Sequence, residues 1–294
     1  MMLVLSAGAA LAGTAFAQTA LQGHIRAIAA DARGKVAVAC SLPGTSLNCD
    51  LDAQAHPPMQ SVFKLPLAVT VLHLVENGKF SLDQAVRFLA SDRIFPHTHS
   101  PLQDKYPSAE VDVPLRELLR LAVSESDNVA ADIILRVIGG PEVVNGYIKA
   151  IGVDGFHLED DERGLSRDVQ TQYRNWFEPA GAVQLLRRIS DNSPLTPEHT
   201  HMLLKWMQDT SSGQQRIKGE LPSGTVVMHR TGTSGTVGGV TYATNDIGLI
   251  TLPDGRRLAI AIFVTNSTAD DATRDAVIAR IAKAAYEEGV GTKK

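Results

Sequence analysis

Strand-forming sequence is confined to the two ends of this chain, so any sheet must be closed by segments that lie far apart in the sequence. One β-rich run, Val36-Ala37-Val38-Ala39, lies near the start. The others are Thr225 to Arg230, Asn245 to Leu252 and Arg257 to Thr265, the last preceded by the turn Pro253-Asp254-Gly255. Between the ends, apolar residues recur at helical spacing. Helices are expected over Gly23 to Ala32, Ser61 to Glu76, Leu115 to Val123, Val129 to Ile138, Pro141 to Ile151, Gly181 to Ser190, Pro197 to Asp209 and Asp271 to Glu288. Asn77-Gly78 and Gly139-Gly140 are stop signals, and Thr196 before Pro197 is a start signal. Terminal helices and strands around a helical middle imply an α/β domain, residues 18–60 with 212–294, interrupted by an all-α domain over 61–211. The long charged stretch at about 153–175, containing Asp160-Asp161-Glu162-Arg163, is expected to be a functional loop.

With 294 residues, 44% of them hydrophobic, the chain can bury a sizeable core. A net charge of −4 without a basic stripe gives no footprint for nucleic acid or for an anionic membrane. Residues 1–17 form an Ala-rich apolar run ending in Ala15-Phe16-Ala17, which reads as a secretory signal cleaved after Ala17, although no Lys or Arg precedes Arg26. A periplasmic protein is the expectation. The two cysteines suit an oxidising compartment: Cys40 and Cys49 flank the turn-like Pro43-Gly44-Thr45-Ser46. Symmetric pairing of a hairpin, with Leu51 on its second strand, would bring them together; the alternative is two half-buried thiols.

Three motifs carry chemistry. Ser61 and Lys64 are three apart at the mouth of an apolar helix, so an amine and a hydroxyl share one face. Such a hydroxyl is a weak nucleophile until a base takes its proton. Ser126-Asp127-Asn128 offers a second hydroxyl and an amide between two helices, and Arg230-Thr231-Gly232-Thr233-Ser234-Gly235 joins a permanent cation to hydroxyls at a strand end.

In this order the motifs are the three signatures of the penicillin-recognising serine enzymes. The chain resembles the class A serine β-lactamases, most closely their PER-like extended-spectrum branch, over nearly all of its expected mature length. The resemblance includes Pro58-Met59-Gln60-Ser61-Val62-Phe63-Lys64-Leu65, Leu221-Pro222-Ser223-Gly224-Thr225-Val226-Val227 and Ala243-Thr244-Asn245-Asp246-Ile247-Gly248. It implies the β-lactamase/transpeptidase-like fold, with an antiparallel sheet flanked by terminal helices and an inserted helical domain. It further implies hydrolysis of β-lactams by a monomer without cofactor or metal.

By that resemblance Ser61 is the nucleophile, Lys64 or Glu162 its base, Ser126 the proton donor to the leaving nitrogen, and Glu162 the activator of the deacylating water. Backbone N–H groups of Ser61 and Thr233 would form the oxyanion hole. Asn128 would bind the acyl side chain, and Arg216, Arg230, Thr231, Thr233 and Ser234 would cradle the substrate carboxylate. Glu162 separates this reading from a peptidoglycan DD-carboxypeptidase or transpeptidase, and from a non-hydrolytic β-lactam sensor.

The sequence departs from the family pattern in four places. Arg230 replaces the usual lysine and can bind but not shuttle a proton. Ser166 stands where an asparagine usually helps to hold the water, and His99 replaces the aromatic residue at the site entrance. The omega loop lacks its usual Arg and Asp clasp, so a looser or refolded loop is expected. His199 and His201 face apart on a helix, and His97 with His99 has no cysteine or histidine partner nearby in the sequence to complete a metal site.

Overall fold

The computed structural model describes residues 20–95 and 98–292. The expected leader lies outside them, as does His97. Four strands form one antiparallel sheet in the order Lys35–Ser41, Arg257–Thr265, Thr244–Thr251, Val227–Thr233. The N-terminal strand therefore closes against the last strand of the chain, as the distribution of strand-forming sequence requires.

Both faces of the sheet are buried, and side chains alternate between them. Val36, Val38, Ile260, Ile262 and Val264 pack on one face against the helix at 20–30 and the C-terminal helix Asp271–Gly291, which contribute Ile25, Ile28, Ile278 and Ile281. Ala37, Ala39, Met228, Ile247, Leu249 and Phe263 pack on the other face against the helical part of the chain. Arg230 shares the parity of Met228 and points to this second face. The strand therefore aims a cation at the helices.

The helix Lys64–Glu76 runs through the middle of that second core. Leu65, Leu67, Val69, Val71 and Leu72 are all fully buried, so this helix is apolar on every side. Each such side chain contributes about 1.5–3 kcal/mol on leaving water. The expected helix at Ser61 begins instead as a 3-10 turn, Gln60–Phe63, with Gln60 at φ 50°; the α-helix starts at Lys64. Lys64 thus enters the core on the first turn, and its side chain has no exposed surface.

Three further expectations need correcting. The hairpin after the first strand has no regular second strand: Leu51 meets Val38 in an isolated bridge. The register of that bridge still places Cys40 opposite Cys49, and the two form a disulfide with Cα atoms 5.4 Å apart. The region 153–175 is not structureless, because it contains the short strand Phe156–His157, a one-turn helix Glu162–Leu165 and a 3-10 segment Val169–Arg174. The middle of the chain also holds a small sheet, Ala85–Phe88 with Val111–Pro114, and the helix Pro101–Lys105. These elements are too short to show a period.

The disulfide closes a short loop with a sequence separation of 9. Its removal by Cys40→Ala with Cys49→Ala is expected to lower the unfolding free energy by about 2–3 kcal/mol on loop-closure entropy. The denatured, unreduced protein should show no reactive thiol. Two thiols before reduction, or a melting temperature unmoved by the double substitution, would contradict the pairing.

Candidate active site

Four groups converge on the Lys64 amine. Nζ donates to Ser61 Oγ at 3.0 Å, to the Ser126 carbonyl at 2.9 Å and to Asn128 Oδ1 at 2.5 Å, and it lies 2.9 Å from Glu162 Oε1. Ser61 Oγ in turn donates to Glu162 Oε1 at 3.3 Å. The four acceptors outnumber the three hydrogens of an ammonium. A neutral amine keeps two hydrogens and gains a lone pair that can accept the Ser61 proton. Burial pushes the Lys64 amine below its usual value; the Glu162 carboxylate opposes this, and the Arg230 guanidinium reinforces it.

The Ser126 loop is held open from behind. Ser126 has φ 60°, a left-handed conformation that a non-glycine residue adopts at a cost of about 1–3 kcal/mol. Asp127 compensates for it. Fully buried, it accepts from Ala130 N at 2.8 Å and Ser100 Oγ at 2.8 Å through Oδ1, and from Leu102 N at 2.6 Å through Oδ2. His99 also braces this loop, with Nε2 2.7 Å from the Glu125 carbonyl and its own carbonyl accepting from Asn128 N at 3.1 Å.

The strand end supplies the opposite wall. Asn245 Nδ2 donates to the Pro58 carbonyl at 2.9 Å, and a Cβ at Gly232 would stand 2.4 Å from the Met59 carbonyl. Only glycine lets the strand approach the segment that carries Ser61. Arg230, with no exposed surface, donates from Nε to the Ser61 carbonyl at 3.0 Å, from Nη1 to the Val123 carbonyl at 3.4 Å and from Nη2 to Ser126 Oγ at 2.6 Å. Burial lowers its pKa to about 10, so it remains charged near neutrality.

A cavity of about 390 Å³ opens over this cluster, lined by Asn128, Glu162, Ser166, Thr233, Ser234 and Tyr242 among others. Of the groups gathered around the Lys64 amine, Asn128 and Glu162 line this cavity, and a buried amine, a hydroxyl nucleophile and a second hydroxyl meet the carboxylate beside it. That is the equipment for acyl transfer.

Residues 20–288 match the model of the β-lactamase enzyme family. The chain is 43% identical to the extended-spectrum β-lactamase PER-1 of Pseudomonas aeruginosa, covering 78% of this chain and 74% of the relative. It is 36% identical to β-lactamase VEB-1 of the same organism, covering 78% and 76%. A solved β-lactamase from Chitinophaga pinensis superposes with TM-score 0.88 at 40% identity, covering 92% of this chain and 99% of that one. TLA-1 extended-spectrum β-lactamase gives 0.89 at 37%, covering 93% and 99%. The chain belongs to the β-lactamase enzyme family. Its relatives are of class A type, and the class A fold expected from the motifs is the one observed.

Within this β-lactamase the remaining expected residues occupy distinct places. Thr233 is exposed on the cavity, and its Oγ1 accepts from Arg216 Nη2 at 2.9 Å. Arg216 lies behind the wall, paired with Asp275 at 2.8 Å and donating to the Asn245 carbonyl at 3.0 Å. Thr231 is buried against Ser212 Oγ at 2.5 Å, and Ser234 Oγ accepts from the N–H groups of Tyr242 and Ala243. Thr233 and Ser234 thus line the cavity, the Ser234 hydroxyl also donating to the Gly235 carbonyl at 3.0 Å, while both guanidiniums lie behind the wall. Ser166 lines the cavity but donates its hydroxyl to the Arg163 carbonyl at 2.7 Å. His199 pairs with Glu76 at 2.8 Å, away from His201.

The omega loop has a clasp of another kind. Asn175, fully buried, accepts from Glu159 N at 2.8 Å and Asp160 N at 2.9 Å, donates to the Asp160 carbonyl at 2.7 Å, and accepts from Met59 N at 3.1 Å through its own carbonyl. Asp132, one helical turn beyond Asn128, accepts from Glu162 N at 2.8 Å and Arg163 N at 3.0 Å. Burial, followed by the nearby Asp161 and Glu162 carboxylates, pushes the Asp132 carboxyl well above the usual range. Sequence reasoning passed over Asp127, Asp132 and Asn175. The helical spacing of Asn128 and Asp132 was the one readable signal.

Two outcomes follow from these contacts. Asn175→Ala removes an acceptor for two N–H groups, one buried and one part-buried, and a donor to one carbonyl, an expected loss of about 2–4 kcal/mol in urea unfolding. A loss below about 0.5 kcal/mol would refute the clasp. For Lys64, the unfolded amine titrates near 10.5 and the folded one lower, so the unfolded chain binds more protons between the two values. Stability relative to Lys64→Met should therefore rise with pH through that window and stay at its minimum below it. A pH-independent difference between the two proteins would show that the amine is not depressed.

Proposed function

We propose that this protein hydrolyses the β-lactam amide of penicillins and cephalosporins through an acyl-enzyme on Ser61, conferring antibiotic resistance. The carrying observation is Glu162, whose Oε1 stands 3.3 Å from Ser61 Oγ and 2.9 Å from Lys64 Nζ on the cavity floor. A penicillin-recognising protein that stays acylated has no use for a carboxylate there.

In acylation, Ser61 Oγ bonds to the lactam carbonyl carbon while its proton passes to neutral Lys64 or to Glu162. The carbonyl oxygen, now an oxyanion, takes hydrogen bonds from the N–H groups of Ser61 and Thr233, which oppose charge as it forms. The C–N bond then breaks, with the Ser126 hydroxyl proton going to the departing nitrogen. Arg230 favours this geometry by holding Ser126 Oγ at 2.6 Å. Asn128 and the hydroxyls of Thr233 and Ser234 position the side chain and carboxylate of the drug. In deacylation, Glu162 accepts a proton from water that attacks the ester, and Ser61 leaves with a proton returned through the same network.

The enzyme is proposed to act as an exported periplasmic monomer. Ala15-Phe16-Ala17 supports the export step, and no described helix is long and apolar enough to cross a membrane.

One experiment tests the reading. Wild type should turn over a chromogenic cephalosporin many times, whereas Glu162→Gln should slow deacylation by about 10²–10⁴-fold and carry a stable adduct on Ser61 by mass. The same spectra of exported protein should give a mature start at Gln18. A stable adduct on wild type would favour a cell-wall transpeptidase or sensor instead. A start elsewhere would overturn cleavage after Ala17.

A further inference from the structure

The omega loop carries three arginines, and only two of them hold it in place. Arg163 donates from Nη2 to the Ser91 carbonyl at 2.6 Å and to the Arg93 carbonyl at 2.9 Å, which ties the loop to the turn at 91–93. Arg174 pairs with Glu159 and, at 3.1 Å, with Asp160 inside the loop itself. Arg167 does neither. It is exposed, it lines the cavity over Ser61, and its guanidinium has no hydrogen bond or ion pair among the described residues.

Among the described residues that line this cavity, Arg167 is the only cation; the two carboxylates are Glu162 and Asp168. Both carboxylates are already engaged, Glu162 with Lys64 at 2.9 Å and Asp168 Oδ1 with the Gln170 N–H at 2.6 Å. The backbone beside the arginine is fixed as well. Arg167 N donates to the Gly164 carbonyl at 3.1 Å, and the preceding Ser166 hydroxyl donates to the Arg163 carbonyl at 2.7 Å. The guanidinium therefore stands on an anchored stem with its five N–H donors unspent. Leu165, Val169 and the 51% exposed Val237 line the same cavity, so a group that enters it meets apolar surface as well as this cation.

We propose that Arg167 is a specificity-determining residue that binds a second carboxylate on the substrate, one at the end of a long acyl side chain with an apolar body. A cephalosporin whose oxime ether ends in a carboxyl group has this chemistry. The proposal rests on the β-lactam reading above and deepens it. In the mechanism given there, the ring carboxylate belongs to Thr233 and Ser234, which sit on the sheet. Arg167 sits on the omega loop and is left for a different anionic group. The planar fork of its guanidinium matches the two oxygens of a carboxylate. Because the arginine is exposed, solvent screens the contact, and its effect is a preference of about three- to tenfold rather than an absolute requirement.

The test uses two cephalosporins with the same nucleus and the same oxyimino group, one ending in a carboxylate and the other in a methyl group. The second-order rate constant for acylation of Ser61 is read by mass in the Glu162→Gln protein, where the adduct accumulates. The readout is the ratio of the carboxylated to the methylated compound, which cancels any change common to both. Adding Arg167→Gln should lower this ratio about three- to tenfold, and Arg167→Lys, which keeps the charge but not the fork, should lower it less. Raising the salt concentration should shrink the difference between Arg167 and its Gln variant. A ratio that Arg167→Gln leaves at the parent value, or that Gln and Lys lower equally, overturns the role. Failure of the underlying reading gives a different result. If the ratio falls as expected while wild type does not turn over, Arg167 keeps its role and hydrolysis is overturned; if neither compound acylates Ser61, both are.

Discussion

The buried Lys64 amine is the group on which the rest of the molecule depends. It has no exposed surface, and every polar atom within reach belongs to a residue that the site needs: Ser61, Ser126, Asn128 and Glu162. These four come from three separate segments, so removing the amine from water is possible only if the 3-10 turn, the interhelical loop and the omega loop all arrive together. A buried charge left without its partners costs several kcal/mol. The catalytic cluster is therefore also a folding constraint on the helical half of the chain.

That constraint explains where the backbone is strained. Gln60 and Ser126, both non-glycine residues with positive φ, flank the amine on two sides. Each is held by neighbours with no role at the reacting atoms: Gln60 Nε2 donates to Gln172 Oε1 at 2.8 Å, and Asp127 ties the Ser126 loop to Ser100, Leu102 and Ala130. Strain at a site persists only where such surroundings over-determine it. The rigid strand contributes as well, since Gly232 and Asn245 press it against Pro58 and Met59, just before the nucleophile.

Much of this was legible in the sequence, and the limits have physical causes. Long periodic segments such as Asp271–Gly291 and Arg257–Thr265 were readable because burial imposes a period on them. The motif order around Ser61, Ser126 and Arg230 pointed to one cluster because each motif sits where an element begins or ends. The second strand of the hairpin was overcalled because Leu51 completes one bridge and the main partner of the first strand comes from the other end of the chain. The omega loop read as loose because the familiar Arg and Asp do not stand at its ends in their usual places. An Arg174–Asp160 ion pair at 3.1 Å and the hydrogen bonds made by Asn175 and accepted by Asp132 do that work, and single polar residues in a polar stretch leave no pattern to read.

The arginine at position 230 shows how one substitution redistributes roles. A lysine here would present a single titratable ammonium. Arg230 spreads its donors over the Ser61 carbonyl, the Val123 carbonyl and Ser126 Oγ, so one side chain locks the nucleophile's segment to the proton donor's loop. Even with its pKa lowered to about 10, it stays charged where the enzyme works, and that fixed charge helps to keep the Lys64 amine depressed. In the proposed mechanism proton traffic then falls to Lys64, Glu162 and Ser126, while Arg230 supplies field and geometry. The strand end at Thr233 and Ser234 lines the cavity where the proposed substrate would sit. A site with a permanent cation behind its wall binds an anionic substrate through hydroxyls at the surface, without having to expose the guanidinium itself.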